Sequence, residues 1–301
     1  MIVFHYIDID ELERVFAVTS HGNQRLVLKA RHRCTLEDDM QRTFGNYLLP
    51  SCIEPIENEL GVEPQMAVSP LVKQAAYLKY ILDSINTYDD HRQGVETFVL
   101  SFSEDQDNSE LWRRSAHDGR GVALGFDTDR LQPDIKRFVN VFSKKCTYWP
   151  DDIKSPAFHL AQDNELYSSI REVYKMISDP RIVESFRKLY GQDGSATHVP
   201  QRLKDTLVSN IVTSFDLFHK QDVWRNEKEY RISLSTTSFD VQFEKDESGD
   251  FVPYADVAFP VDALRMIVIG PKSGRNAYGM VRSLLTRKGV SQNVKLLESR
   301  L

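Results

Sequence analysis

The chain has 301 residues, of which 41% are hydrophobic and 27% are charged. This balance is typical of a folded globular protein and excludes global disorder. The formal net charge of −6 excludes a broad basic field for nucleic acid, although a local basic patch stays open. The length suffices for one large domain or two small ones.

No run of apolar residues approaches the roughly 20 that a membrane-spanning helix needs. The opening MIVFHYIDIDELERVF lacks a basic leader, so we expect no signal peptide. The three cysteines have no CxxC spacing, which argues against a disulfide framework and a zinc site. These features predict a cytoplasmic protein without a metal site and without a membrane partner.

Strands and helices follow one another irregularly in the first half of the chain. In chain order the pattern predicts a strand at 2–6, a short helix opened by Asp8 and Glu11, a strand at 25–29, helices at 36–48 and 69–85, a strand at 96–103, a helix at 110–117 and a strand at 121–126.

A mainly helical stretch interrupts the strands of the second half. The pattern predicts extended chain at 135–149, helices at about 157–219, strands at 229–235, 239–243, 251–257 and 266–269, a helix at 277–287 and a strand at 293–297. Because strands and helices do not alternate steadily, we predict an α+β fold with a mixed or antiparallel central sheet. No linker divides the chain, so we expect a single domain, 1–301, with the helical stretch as an insertion.

The segment WRNEKEYRIS, residues 224–233, places two glutamates at the start of a predicted strand. If residues 227–235 are extended, then Glu227, Glu229 and Arg231 share one face, because side chains two apart in a strand point the same way. Such carboxylates repel each other unless a cation or a ligand neutralises them. From the residues alone, the pair is either a charged strand edge or a carboxylate site.

Ser101 and Ser103 give another unusual pattern, since two hydroxyls share one face at the end of an apolar strand. Trp112 follows in the next predicted helix. An ordinary explanation also exists, in which the serines simply end the strand and the tryptophan belongs to the core.

Two other segments of the sequence could bind anions. The loop at 270–275, between a strand and a helix, could meet a phosphate with its amides or could be a plain turn. Five cations could form a strip for nucleic acid or could simply be solvated: Arg113, Arg114, Arg120, Lys144 and Lys145.

Several of these segments together resemble the domain-of-unknown-function family 2971. The resemblance rests on FSEDQDNSELW with the following GVALGF, on KQDVWRNEKEYRI, on the opening Phe4-His5-Tyr6, and on the closing MIVIGP. These matches are spread over about residues 3–275. Ser115 departs from the family, which tends to have a tyrosine at that position.

The family's order of elements looks like the ADP-ribosyltransferase fold, with a helical insertion here. In that fold an early strand supplies His or Arg, a middle strand supplies Ser or Tyr, and a late strand supplies a catalytic Glu. The resemblance implies that Glu229 stabilises the oxocarbenium-like state in which NAD loses nicotinamide. Glu227 would orient or deprotonate the acceptor. His5, or alternatively Arg25, would bind the adenosine-side ribose.

The resemblance also implies a wider NAD-binding set. Ser101 or Ser103 would position NAD or the late glutamate, Tyr6 and Trp112 would offer stacking surfaces, and Arg231 would complete the set. NAD would be a substrate, and the acceptor a macromolecule, either protein or nucleic acid. Because relatives include toxins and phage-defence effectors, a neutralising partner is also implied.

Two other functions stay open. The domain could be a non-catalytic module that binds a nucleotide or a partner on the same fold. It could also be a hydrolase or nuclease that uses the carboxylates with a metal, although no metal-ligand spacing is present.

Overall fold

The computed structural model describes residues 1–18, 24–35, 96–134, 140–149, 217–236, 241–245 and 249–301, with isolated positions at 58, 138, 171, 175, 179–181, 184 and 188. The predicted helices at 36–48 and 69–85 lie outside the described residues, as does most of the predicted insertion at 157–219. Two compact units make up the chain: Met1–Leu36, Gln93–Cys146 and Trp224–Leu301 form the first, and Glu37–Arg92 and Thr147–Val223 form the second. The single-domain organisation stays a prediction.

Strands dominate the described part of the chain. They are β1 (Ile2–Ile7), β2 (Phe16–Val18), β3 (Gln24–His32), β4 (Glu96–Ser103), β5 (Val122–Asp127), β6 (Asn140–Lys145), β7 (Thr147–Trp149), β8 (His219–Gln221), β9 (Glu229–Thr236), β10 (Gln242–Lys245), β11 (Phe251–Pro260), β12 (Leu264–Ile269) and β13 (Lys295–Glu298).

Helices are fewer among the described residues. The α-helices are α1 (Leu12–Val15), α2 (Ser109–Ser115) and α3 (Ala277–Arg287), and the 3-10 helices are Ile9–Glu11, Arg33–Thr35, His117–Gly119, Asp222–Glu227 and Val261–Ala263. Asn108 starts α2, because its side-chain oxygen accepts hydrogen bonds from the amides of Glu110 and Leu111. In α3, the buried side chains recur at helical spacing at Ala277, Val281, Leu284 and Leu285.

An 11-stranded sheet forms the first unit. Its main order is β10-β11-β3-β4-β1-β5-β12-β13; β2 pairs with β3, and β9 lies between β4 and β6. Every pair is antiparallel except β12 with β13, which is parallel. The predicted α+β class with a mixed, mostly antiparallel sheet is therefore confirmed.

The two faces of this sheet are covered by different helices. One face packs against α1 and α3 in a large apolar core that includes Val3, Phe102 and Ile232. The opposite face carries a smaller core in which Trp112 and Ala116, at and just after α2, pack on Phe4 and Tyr6. We call these the α1/α3 face and the α2 face.

Two different strands, β3 and β1, pair with the same edge of the central strand β4. Strand β3 pairs with β4 at Phe98 and Val99, whereas β1 pairs with β4 at Ser103. The sheet therefore opens on this edge between Val99 and Ser103, because β1 and β3 diverge. The other edge of β4 is paired with β9 along its whole length.

In the second unit, the described strands are β7 and β8, which form a separate parallel pair. The short strands β2 and β8 were not predicted from the sequence. Each has only three residues, so neither shows enough alternation to be recognised.

Candidate functional site

Charged side chains are buried at the start of β9. Glu229 and Arg231 expose only 4% and 2% of their surface, and the Arg231 Nε atom donates a hydrogen bond to Glu229 Oε1 at 2.7 Å. The two residues lie on one face of β9, as predicted from strand spacing. The start of β9 therefore holds a carboxyl group and a guanidinium inside the protein as a hydrogen-bonded pair.

Glu227 is also buried, but it is not a strand residue. It ends the 3-10 helix Asp222–Glu227, and Lys228 then adopts a left-handed conformation with φ of 44°. The expectation of extended chain from residue 227 is therefore wrong, because β9 begins at Glu229. Glu227 instead bonds through Oε1 to the Arg114 guanidinium of α2 at 2.5 Å, and that guanidinium lies 5.0 Å from the centroid of the Trp224 ring.

Both serines of β4 lie on the same face as the Glu229–Arg231 pair. In the antiparallel register, Ser103 is opposite Glu229 and Ser101 is opposite Arg231. The Ser103 hydroxyl is buried, donates to the Glu227 carbonyl at 2.7 Å and accepts from the Asp105 amide at 3.0 Å. Ser101 is exposed. On the α2 face, the exposed residue Ser101 therefore lies beside the buried Glu229–Arg231 ion pair.

His5 lies on the opposite face of the sheet. Phe4 is opposite Ser103 in the register, so Phe4 shares the α2 face with Glu229, and His5 points to the α1/α3 face. Its ring lies 5.4 Å from the Phe102 ring on that face. The arrangement in which His5 meets Glu229 across one cleft is therefore not present. The alternative residue, Arg25, lies in β3 opposite Ala17 and Pro260.

The His5 ring fills the place where the sheet opens. Its Nδ1 atom donates to the backbone oxygen of Ser101 at 2.9 Å, which leaves Nε2 as the acceptor of the neutral ring. Burial lowers the pKa of His5 below its usual value, and the hydrogen bond to Ser101 opposes that shift.

Tyr6 and Trp112 come together, but in the smaller core. Their rings meet edge to face with centroids 4.8 Å apart, and they expose 7% and 2% of their surface. The Tyr6 hydroxyl donates to the Asp105 carbonyl at 2.7 Å, and burial raises the pKa of the phenol well above its usual value. Neither ring presents a free face for stacking on a ligand in this structure.

Three residues around this cluster carry contacts that sequence reasoning did not assign. Asp107 accepts from the Trp112 indole at 2.7 Å, Asn108 donates to the Asn226 carbonyl at 2.7 Å, and Arg114 neutralises Glu227. The capping role of Asn108 was readable, since Asn before a helix is a strong start signal. The partner of Arg114 was not, because 113 residues separate it from Glu227.

The cations that could form a basic strip, or could simply be solvated, lie in different places. Lys145 bonds to Glu104 at 2.5 Å and Arg114 bonds to Glu227, whereas Arg120 lines a separate cleft with Lys272. In the described ranges, no group of three or more His, Cys, Asp and Glu side chains is arranged to hold a metal ion.

Among the comparisons with known proteins, a family model matches part of the chain. The model of a protein family of unknown function, DUF2971, matches residues 111–232, which supports the family resemblance over that part of the chain. No curated protein and no solved structure gives a significant match. Among the described helices, none has the length and apolar character needed to cross a membrane.

Proposed function

We propose that the protein is an NAD-dependent ADP-ribosyltransferase-like protein in which Glu229 is the catalytic carboxylate. One observation carries the proposal: Ser101 and Ser103 of β4 lie directly opposite Arg231 and Glu229 of β9, on one face of two central strands. Strand β1, which supplies His5 and Tyr6, borders the other edge of β4. In the ADP-ribosyltransferase fold that the family resembles, an early, a middle and a late strand supply the site. The corresponding strands here are β1, β4 and β9, and β1 and β9 both pair with β4.

The chemistry assigned to Glu229 follows from its charge and its neighbours. Loss of nicotinamide from NAD leaves positive charge on the ribose, which a fixed carboxylate stabilises. Arg231 places a positive charge beside that carboxyl group and fixes its orientation through the 2.7 Å bond. The Ser101 side chain is exposed on this face and is therefore accessible to a substrate. Because Glu229 is only 4% exposed, NAD must displace part of the surrounding chain to reach it.

A second function, a non-catalytic binding module on the same arrangement, is favoured by a separate observation. Glu227 and Glu229 are each buried against an arginine, and His5 points to the other face of the sheet. Ion pairs of this kind hold segments together whether or not a reaction occurs. In this case the α2 face binds a nucleotide or a partner and leaves it unchanged.

Nicotinamide release from NAD, measured by chromatography with protein and nucleic acid extracts as acceptors, tests the catalytic function. We expect Glu229→Gln to lower release on the order of 100-fold or more, because it removes a charge that stabilises the transition state. Glu298→Gln makes the same chemical change at an exposed site in β13 and should leave release unchanged. Circular dichroism must show that both variants are folded.

Direct NAD binding, measured by NMR, separates the two candidate functions. If the wild type binds NAD without releasing nicotinamide, the binding module is supported and the transferase is wrong. If Glu229→Gln is folded and releases nicotinamide at the wild-type rate, the assignment of Glu229 is wrong. If the wild type neither binds nor cleaves NAD, the catalytic function and the NAD-binding form of the module are both overturned.

A further inference from the structure

A cleft that does not include Glu229 lies at the start of β5, the end of β12 and the start of α3. It has a volume of about 330 Å³. Most of its surface is apolar, with Ile9 and Met280 among the lining residues, and Arg120, Lys272, Arg275 and Asn276 also line it. This volume is at the lower end of the range for small-molecule sites.

The charged side chains that line the cleft are all cations. Three of its lining side chains are cations, and none is a carboxylate. Lys272 is held at the rim by both carboxylate oxygens of Asp118, each at 2.9 Å. Within the described ranges, neither Arg120 nor Arg275 makes an ion pair or a side-chain hydrogen bond. Cations brought together in one cleft repel each other, and a bound anion relieves that repulsion.

The cleft is built on two loops that are tied together. The Lys272 amide donates to the Gly119 carbonyl at 2.9 Å, the Gly270 amide donates to the Gly121 carbonyl at 3.0 Å, and the Ser273 hydroxyl donates to the Arg120 carbonyl at 3.0 Å. These bonds fix the backbone beneath two of the cations. The backbone that carries these two side chains is therefore ordered before a ligand binds, which lowers part of the entropic cost of binding.

Backbone strain appears in the same loop. His117 and Asp118 have positive φ values of 49° and 53°. Non-glycine residues seldom adopt this conformation, and it persists where the surrounding structure enforces it, often at ligand sites. Asp118 in this turn forms a surface ion pair with Lys272 at 2.9 Å.

We propose that the cleft between Arg120, Lys272 and Arg275 binds the phosphate group of a small phosphorylated molecule. A guanidinium group can donate two parallel hydrogen bonds to two oxygens of one phosphate, and a lysine adds a positive point charge. Ile9 and Met280 lie beside the cations and provide a surface for an apolar or ring portion of the ligand. The site is independent of Glu229 and of NAD cleavage.

Isothermal titration of the full-length protein with inorganic phosphate, pyrophosphate and ADP tests this proposal. We expect saturable binding that Arg120→Gln and Arg275→Gln each weaken by about tenfold, because each removes a charge-assisted hydrogen bond. Arg282→Gln removes the same charge from an exposed position of α3 outside the cleft and is the matched control. ADP binding more tightly than pyrophosphate would show that the apolar wall contacts the base or ribose.

Three results would overturn the proposal. The first is the absence of saturable binding of all three anions at low salt. The second is equal weakening by Arg282→Gln, since that shows attraction to net charge only. The third is unchanged affinity of the two cleft variants when circular dichroism shows that they are folded. A failure of nicotinamide release leaves these outcomes unaffected, so the two proposals are judged separately.

Discussion

Lys228 turns the chain between two buried carboxylates. In a regular strand, Glu227 and Glu229 would share one face. The left-handed conformation of Lys228 breaks the strand, and Glu227 ends a 3-10 helix instead. Each glutamate then meets its own arginine, which is Arg114 for the first and Arg231 for the second. One unfavourable backbone conformation therefore separates two like charges.

Substitution of Lys228 tests this role. Lys228→Val should lower the free energy of unfolding by about 1–2 kcal/mol, because a β-branched residue is strongly disfavoured at positive φ. Lys228→Asn should be close to neutral, since Asn tolerates this conformation and the exposed contact to Asp105 contributes little. Urea unfolding monitored by circular dichroism gives the comparison.

Lys295→Val is the control, because Lys295 is exposed in β13, where valine fits well. Equal stability of Lys228→Val and Lys228→Asn would contradict the assigned conformation.

His5 makes the stability depend on pH. Its pKa in the folded protein is lowered by burial, so below about pH 6.5 the unfolded chain binds a proton that the folded chain does not. The stability that neutral His5 contributes is therefore present above that pH and is lost as pH falls toward the lowered pKa. Of the charged groups that act on His5, Glu11 opposes the shift and Arg31 adds to it.

Urea unfolding at intervals between pH 8 and pH 5 measures this effect. His5→Asn keeps an N–H donor for the Ser101 carbonyl but cannot titrate, so its stability should fall less steeply than that of the wild type over this range. If the stability of the two proteins falls equally with pH, His5 has the same pKa in the folded and unfolded states, and the prediction is wrong.

At the scale of elements, the loop between β4 and α2 and the end of the chain are held by one carboxylate. Asp107 accepts from the Trp112 indole at 2.7 Å, from the Ser299 hydroxyl at 2.6 Å and from the Arg300 amide at 2.7 Å. Much of the segment FSEDQDNSELW is thus explained by contacts that fix this loop. These contacts do not require a catalytic role for the segment.

Asp107→Asn should lower the free energy of unfolding by about 1–3 kcal/mol, because an amide cannot accept all three hydrogen bonds. The thermal midpoint should fall with it. Asp129→Asn makes the same change at an exposed position and should have little effect. A loss of stability of similar size in both variants would point to net charge as the cause.

Several elements could be read from the sequence with close bounds. The strand at 96–103 and the helix at 277–287 coincide with β4 and α3, because each combines strong periodicity with clear end signals. Glu227 was misassigned because Lys228 gives no local sign of positive φ. The face of His5 was unreadable, since β1 is apolar on both faces: Val3 and Ile7 enter one core, and Phe4 and Tyr6 enter the other.

At the scale of the whole molecule, the α+β class followed from element order, whereas strand order did not. Pairing of β4 with β9 joins segments more than 120 residues apart, and only tertiary packing decides such contacts. The glycines of GVALGF show the same limit. A side chain at Gly121 would lie 2.2 Å from the Ile7 carbonyl, and one at Gly125 would lie 2.8 Å from the Phe4 ring, which only the folded arrangement reveals.

The opening of the sheet along β4 shifts the task of joining its neighbours from the backbone to side chains. Strands β3 and β1 are in register with β4 through two residue pairs and one, respectively. Val3 of β1 and Leu28 of β3 nevertheless belong to one apolar core, and Lys29 of β3 bonds to Glu11, just after β1, at 2.6 Å. On this edge of β4 the sheet is therefore held together mainly by packing and charge, whereas a continuous backbone ladder with β9 holds the other edge.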